Sequence, residues 1–292
     1  MLSFLSLTFM LLKINGYSYF PYREIFVNGI PFYLVDETKN AKYYKSVGSF
    51  NISISRIFCI EGKVDQSIRG LEGFVTYKIE VGNKKFVRRM ENFFIPENLT
   101  EEDIINFFNL IASQYDELID KELNDKITGK IFKVIHRCKR AFSIPGDFRV
   151  LDYGVGTGNS FRIYKKNQYK GSKFALFGCD ISEKMILICK KKQIANVILC
   201  EYNKLPYKSE TFDAVFAVFV VHYFINEEPY KEIFRVLKPR GVFIFNVKAP
   251  SEPKTYEQIL YQVGFQNVKI YSWFINTPQK AREISIIRAQ KQ

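Results

Sequence analysis

A chain of 292 residues suits one large domain or a core with an accessory domain, and 47% hydrophobic with 25% charged residues gives enough apolar side chains for a sizeable core. The formal net charge of +13 keeps nucleic acid and anionic surfaces in view as partners, whereas five cysteines without a C-x-x-C pair and only two histidines argue against a zinc centre or a disulfide framework. No run approaches the roughly 18 apolar residues of a membrane span, so no span is expected, and unpaired cysteines fit a reducing, cytoplasmic compartment.

The first twelve residues, MLSFLSLTFMLL, are apolar. No basic residue precedes them and no A-x-A site follows, which disfavours a secretory leader. A buried strand, or an inaccurately chosen start, is expected there. From Leu2 to about Phe94 the pattern is β. Asn28-Gly29 between EIFV and IPFYLV, and Gly82-Asn83 between FVTYKIEV and KKFVRRM, are hairpin signals because both central residues of the favoured turn need positive φ. Val75, Tyr77, Ile79 and Val81 alternate with polar residues, as do Phe50, Ile52 and Ile54, which predicts strands with one buried face. No motif in this stretch carries chemistry. The region 1–97 is predicted to be a β-rich accessory domain that either shapes a substrate pocket or binds a partner, or else covers an apolar edge of the core.

Pro96 and the polar residues around it mark a boundary, after which 98–292 forms the main domain. Thr100 followed by Glu101, Glu102 and Asp103 reads as an N-cap with acids in the first turn. The helix carries Ile104, Ile105, Phe107, Phe108 and Ile111 and runs into Tyr115-Asp116. In the next helix Lys126, Lys130, Lys133, Arg137 and Arg140 share one face, opposite Ile127, Ile131, Val134, Ile135 and Cys138. That basic row is either a solvated surface or an RNA contact.

The stretch VLDYGVGTGNS, Val150 to Ser160, reads as a buried strand entering a tight turn with glycines at 154, 156 and 158. A ligand lying over a strand-to-helix turn is implied. Gly158 comes one residue early for the G-x-G-x-x-G of a dinucleotide site, and the Gly-Lys-Ser/Thr of a phosphate loop is absent. The next strand, KFALFGCD, ends in Asp180, roughly 20 residues on, where a carboxylate can accept hydrogen bonds from both hydroxyls of a ribose. The third strand, NVILCE, ends at Glu201 before Leu205-Pro206. The fourth, DAVFAVFVVHYF, is apolar throughout, as a strand buried on both faces requires.

These segments resemble the class I, Rossmann-like S-adenosylmethionine (SAM) methyltransferases, and in particular the type 11-like methyltransferase domain. D-x-G-x-G-x-G at Asp152 to Gly158 is similar to the family's first motif, GCDISEKM to its second, and Glu201 with Leu205-Pro206-Tyr207 to its D-x-x-x-L-P-F, with Glu in place of Asp and Tyr in place of Phe. Phe212-Asp213 matches the F-D of the fourth strand. FRVLKPRGVFIFNV is similar to the turn before the fifth, with Arg240 in place of a glycine. The resemblance runs from about Asn106 to Gln292. It implies an α/β fold: a seven-stranded, mostly parallel sheet with the last strand antiparallel, beside a smaller N-terminal β-rich domain.

It further implies SAM as cofactor, held by Asp152, Gly154, Val155, Gly156, Thr157, Gly158, Asp180, Ile181, Met185, Glu201, Tyr202 through its backbone, and Val218. Tyr115 would fold over the cofactor as a lid, or be a packed aromatic. His222 would face the transferred methyl as a base, or be a packing residue. No metal is implied. The acceptor would be an O, N or C nucleophile of a small metabolite, because the Asn-Pro-Pro-aromatic and Pro-Cys segments of nucleic-acid and glutamine methylases do not occur after the fourth strand. RNA (tRNA or rRNA) and a non-catalytic SAM-binding regulator or scaffold stay open as alternatives, and the sequence says nothing about oligomeric state.

Overall fold

A computed structural model describes residues 98–142, 147–167, 174–248, 253–276 and 281–292, together with the backbone of eight strands between residues 11 and 96. The chain divides into two compact units, Met1–Leu110 and Ile111–Gln292.

In the first unit β1 (Leu11–Ile14), β2 (Tyr17–Val27), β3 (Ile30–Val35), β4 (Phe50–Ile52) and β5 (Ser55–Phe58) form a sheet in the order β1-β2-β3-β5-β4. A second sheet is built from β6 (Lys78–Val81), β7 (Lys84–Arg89) and β8 (Phe93–Pro96). β2 and β3 are antiparallel with Val27 opposite Ile30, and β6 and β7 with Val81 opposite Lys84; these pairings flank the two hairpin dipeptides. Residues 1–10, Ile54, Val75, Tyr77 and the dipeptides themselves lie outside the described residues. α1 (Glu101–Ile111) starts with a reciprocal cap: the Thr100 hydroxyl accepts from the Asp103 N–H at 3.1 Å, and the Thr100 N–H donates to the Asp103 carboxylate at 3.0 Å.

The second unit opens with a 3-10 turn at Ala112–Gln114 and a single helical turn, α2 (Tyr115–Leu118). The continuous amphipathic pattern predicts one helix through this stretch; the structure breaks it, with Ile119 already extended at ψ 147°. α3 (Lys121–Phe142), β9 (Arg149–Tyr153), α4 (Asn159–Asn167), β10 (Ala175–Asp180), α5 (Glu183–Lys191), β11 (Val197–Leu199), β12 (Phe212–Ala217), α6 (Glu228–Val236), β13 (Leu237–Lys248), α7 (Pro253–Val263), β14 (Gln266–Asn276) and β15 (Ala281–Gln290) follow. Their strands make one seven-stranded sheet in the order β11-β10-β9-β12-β13-β15-β14. The first five are parallel neighbours, and β15 runs antiparallel to both β13 and β14. This is the expected α/β sheet with its antiparallel closing strand.

Strand alternation sorts the core onto two faces. Val150, Ala214, Phe216, Val242, Ile244, Ile284 and Ile286 pack with Ile127, Ile131, Phe132 and Ile135 of α3. Leu151, Val215, Ala217, Phe243, Phe245 and Ile287 pack with Ile233 and Val236 of α6 and Leu260 of α7. Both faces of β9, β12 and β13 are therefore dry, which is why those strands read as unbroken apolar runs. On α3, Ile127, Ile131, Ile135 and Cys138 are buried while Lys126, Lys133, Arg137 and Arg140 are exposed. Lys130 lies over the Trp273 ring at 4.3 Å.

Two motif residues act as fasteners. Buried Asp213 accepts the Arg149 N–H at 2.8 Å and pairs with Lys238 at 2.9 Å, joining the starts of β9, β12 and β13. Arg235 donates to the carbonyls of Leu205 (3.1 Å) and Tyr207 (2.8 Å) and so holds the Leu-Pro-Tyr segment. Arg240 adopts φ +65°, the left-handed conformation for which the motif's glycine is suited. It lies within β13, where the pairing with β12 shifts register between Phe212 and Ala214, so the turn expected before the fifth strand is an irregular start of the strand itself. Among the described residues no helix is long and apolar enough to cross a membrane.

Candidate functional site

β9 carries Asp152 and Tyr153 to the C-terminal edge of the sheet, and the chain turns through Gly154 to Gly158 into α4. The three glycines have φ of +78°, +55° and +86°, where a Cβ is strained. At two of them a side chain would also displace a neighbour: a Cβ on Gly154 would stand 2.5 Å from the Val220 side chain, and one on Gly158 2.1 Å from the tip of Ile194. Gly156 differs. A Cβ there would meet only the Tyr115 ring, at 3.5 Å. The tyrosine ring thus faces the middle glycine of the turn.

The turn is fastened to the next strand. The N–H groups of Gly154 and Val155 both donate to the Cys179 carbonyl at 2.9 Å, and Gly178 leaves room for Val155, whose Cγ2 would be 2.8 Å from an added Cβ. Asp180, at the end of β10, accepts the Gly156 N–H on one carboxylate oxygen (2.8 Å) and the Ser182 N–H on the other (2.9 Å). The Ile181 N–H adds a third backbone hydrogen bond, which leaves a carboxylate with about four lone-pair sites room for a ligand hydroxyl. Asp152 accepts from the Ser160 hydroxyl. The other side of the turn is held by Asp116: Thr157 Oγ1 donates to its Oδ1, and Lys192 Nζ donates to its Oδ2 at 2.8 Å and to the Thr157 carbonyl at 3.0 Å.

Two buried carboxylates at one strand edge have electrostatic consequences. Burial pushes the Asp152 carboxyl up to about 7 despite the Ser160 hydrogen bond, and the charge of Asp180 adds to the rise. Burial likewise pushes Asp180 up to about 6, against the hydrogen bonds from Ser182 and Gly156. Burial and the neighbouring Tyr223 and Asp180 raise the Tyr115 phenol well above the ordinary tyrosine range, so it is neutral and a donor at physiological pH. Asp116 is opposite: burial would raise it, but the hydrogen bonds from Lys192 and Thr157 win and hold it below the usual carboxylate range. The edge therefore carries two buried acidic groups whose ionised forms are disfavoured without a partner.

The remaining sequence-derived residues line the same edge. Ile181 is half-buried, and Met185 is buried with its N–H on the Ser182 cap at 3.2 Å. Glu201 is exposed, two residues past β11, in a bridge with Lys204. Tyr202 is buried; its hydroxyl donates to the Tyr223 carbonyl at 3.2 Å and accepts the Ile225 N–H at 2.5 Å. Val218 is half-buried just beyond β12, which ends at Ala217. His222 sits half-buried in a 3-10 turn, Val221–Tyr223, its ring against Tyr223 at 4.4 Å. Sequence reasoning missed Asp116, Lys192 and Tyr223, and also Phe219, which takes φ +59° with its N–H on the Asn246 side chain at 2.8 Å. No residue type announces these roles.

A glycine turn after the first strand of this sheet and a carboxylate after the second are the features by which Rossmann-like folds hold a nucleotide. Residues 151–245 match the family model described as a methyltransferase domain. Over 168 residues the chain is 29% identical to an uncharacterised protein of Methanocaldococcus jannaschii, covering 57% of this chain and 60% of that one. It is 28% identical to the ubiquinone/menaquinone biosynthesis C-methyltransferase UbiE of Paraburkholderia phymatum, covering 50% and 60%. To the tRNA (carboxymethyluridine(34)-5-O)-methyltransferase of Arabidopsis thaliana it is 33% identical, covering 39% and 27%. The chain thus spans about 60% of the length of the first two relatives and less of the third. Among solved structures, the [4+2]-cyclase SpnF superposes with a TM-score of 0.51 at 15% identity, over 66% of this chain and 97% of that one.

Proposed function

We propose that this chain transfers a methyl group from SAM to an oxygen, nitrogen or carbon nucleophile of a small metabolite. The observation that carries the reading is the paired burial of Asp152 and Asp180 beside a glycine turn whose middle residue faces the Tyr115 ring. The residues fit the cofactor. Asp180 would accept from the ribose hydroxyls, Asp152 supplies negative charge toward an ammonium group, and backbone at Gly156 admits a close approach that a side chain would block. Met185 and Ile181 supply apolar surface, Glu201 and the Tyr202 backbone the adenine end, and Val218 the methionine end.

SAM, when bound, supplies a methyl group already activated on a sulfonium. Alignment and exclusion of water are then the protein's main tasks. Tyr115 covers Gly156 and keeps solvent from the turn. His222, on the loop after β12, takes the proton of a hydroxyl or acidic-carbon acceptor. RNA is the second reading, favoured by the exposed row of Lys126, Lys133, Arg137 and Arg140 on α3. Binding without methyl transfer is a third, since the SpnF fold carries a cyclase.

Incubating the protein and SAM with cell extract separated into RNA, protein and small-molecule fractions tests the reading by mass spectrometry. A mass gain of one methylene in the small-molecule fraction, lost with His222→Ala by a factor of ~10² or more, is the expected result. A gain confined to RNA, or none in any fraction, would refute it.

A further inference from the structure

The short helix α2, Tyr115–Leu118, stands beside the glycine turn without belonging to it. Four residues cannot hold themselves as a helix in water, because one turn fixes more backbone than its hydrogen bonds return. Its end is closed by the Ile119 N–H, which donates to the Tyr115 carbonyl at 3.2 Å. Yet this turn is what places the Tyr115 ring 3.5 Å from the position of a Cβ on Gly156. Something outside the turn must fix it.

We infer that Asp116, Thr157 and Lys192 form a clasp that positions Tyr115 over the cofactor, and that Asp116 and Lys192 are positioning residues for cofactor retention. The three come from separate elements: α2, the glycine turn, and the C-cap of α5. Asp116 uses both carboxylate oxygens, one for the Thr157 hydroxyl and one for the Lys192 ammonium. Lys192 closes the triangle by donating to the Thr157 carbonyl at 3.0 Å. An exposed ion pair alone adds little. Here the carboxylate also binds the turn that the cofactor must touch, and the ammonium bridges the same turn's backbone. The Thr157 side chain points its oxygen at the lid segment, so the turn and the lid are one hydrogen-bonded unit. The geometry also explains why a polar, non-glycine residue stands between two glycines with left-handed φ: Thr157 is the turn's handle.

This inference rests on the proposed cofactor, and its test is built to fail separately. S-adenosylhomocysteine (SAH) is titrated into the full chain by calorimetry and its dissociation is timed. Amide exchange at residues 115–119 is measured without ligand. In Lys192→Met and in Asp116→Asn, SAH is expected to bind about tenfold more weakly, chiefly through faster dissociation, with faster exchange at 115–119 and no loss of cooperative unfolding. Thr157→Val should behave alike and Thr157→Ser should restore wild-type values. The Asp116→Asn, Lys192→Met double variant should be no worse than either single one, because the three groups act as a unit. Wild-type binding with unchanged affinity and exchange in all variants overturns the clasp. Failure of the wild type to bind SAH overturns the cofactor reading instead, and exchange at 115–119 then decides the clasp alone.

Discussion

Asp152 is ionised in the folded chain only around pH 7, and Asp180 only around pH 6, against 3.8 for an exposed carboxyl. As pH rises through 3.8 the unfolded chain releases these protons while the native one keeps them. Their contribution to stability is therefore complete below pH 3.8 and lost as pH rises to about 7. For the protein without ligand, Asp152→Asn is expected to flatten the fall in stability between pH 4 and 7 by on the order of 2 to 4 kcal/mol, measurable by urea unfolding at a series of pH values. An unchanged pH profile would mean that the carboxyl titrates alike in the folded and unfolded chains. The same residues show what the sequence makes legible at this scale. Asp152 and the glycines are legible because only glycine takes those backbone angles without strain. Phe219 at φ +59° is not, because a bulky residue gives no sign that a side chain elsewhere, Asn246, will hold its N–H.

At the scale of elements, the order of strands and helices after residue 98 follows the apolar runs and turn residues closely, since buried parallel strands leave no polar alternation to misread. The break between α1 and α2 was hidden. The amphipathic pattern runs through the 3-10 turn at Ala112–Gln114 unchanged, and the partners of Asp116 just beyond it, Thr157 and Lys192, are distant in sequence. Phe212-Asp213 is legible as a motif, but only the structure shows its work. Asp213 → Ala is expected to cost about 3 kcal/mol, because it leaves the Arg149 N–H and the Lys238 ammonium unmatched at the base of three strands. Chemical denaturation reads the loss, and SAH affinity should stay within a factor of two or so of wild type, since the fastener lies at the opposite end of the strands from the glycine turn. A large loss of affinity with intact stability would assign Asp213 to the site instead.

For the whole molecule, charge is the least specific signal. Lys126, Lys133, Arg137 and Arg140 form a solvated row that any soluble helix can carry, and Lys130 is engaged with Trp273. If RNA is the acceptor, reversing the four exposed charges should weaken RNA binding at least tenfold and flatten its dependence on salt, because released counterions accompany phosphate contacts. The small-metabolite reading expects no change in methyl transfer. The strand order shared with SpnF, at a TM-score of 0.51, speaks for the sheet and not for the chemistry built on it.

The glycine turn, Asp180 and the ring of Tyr115 make one claim about a ligand, and calorimetric titration with SAM tests it most directly. The wild-type chain should bind one SAM, Asp180→Ala should lose at least a factor of ten in affinity because the acceptors for the ribose hydroxyls are gone, and Gly156→Val should bind none because its side chain would enter the space beneath Tyr115. Equal binding by the wild type and both variants, or no binding by the wild type, would contradict the account.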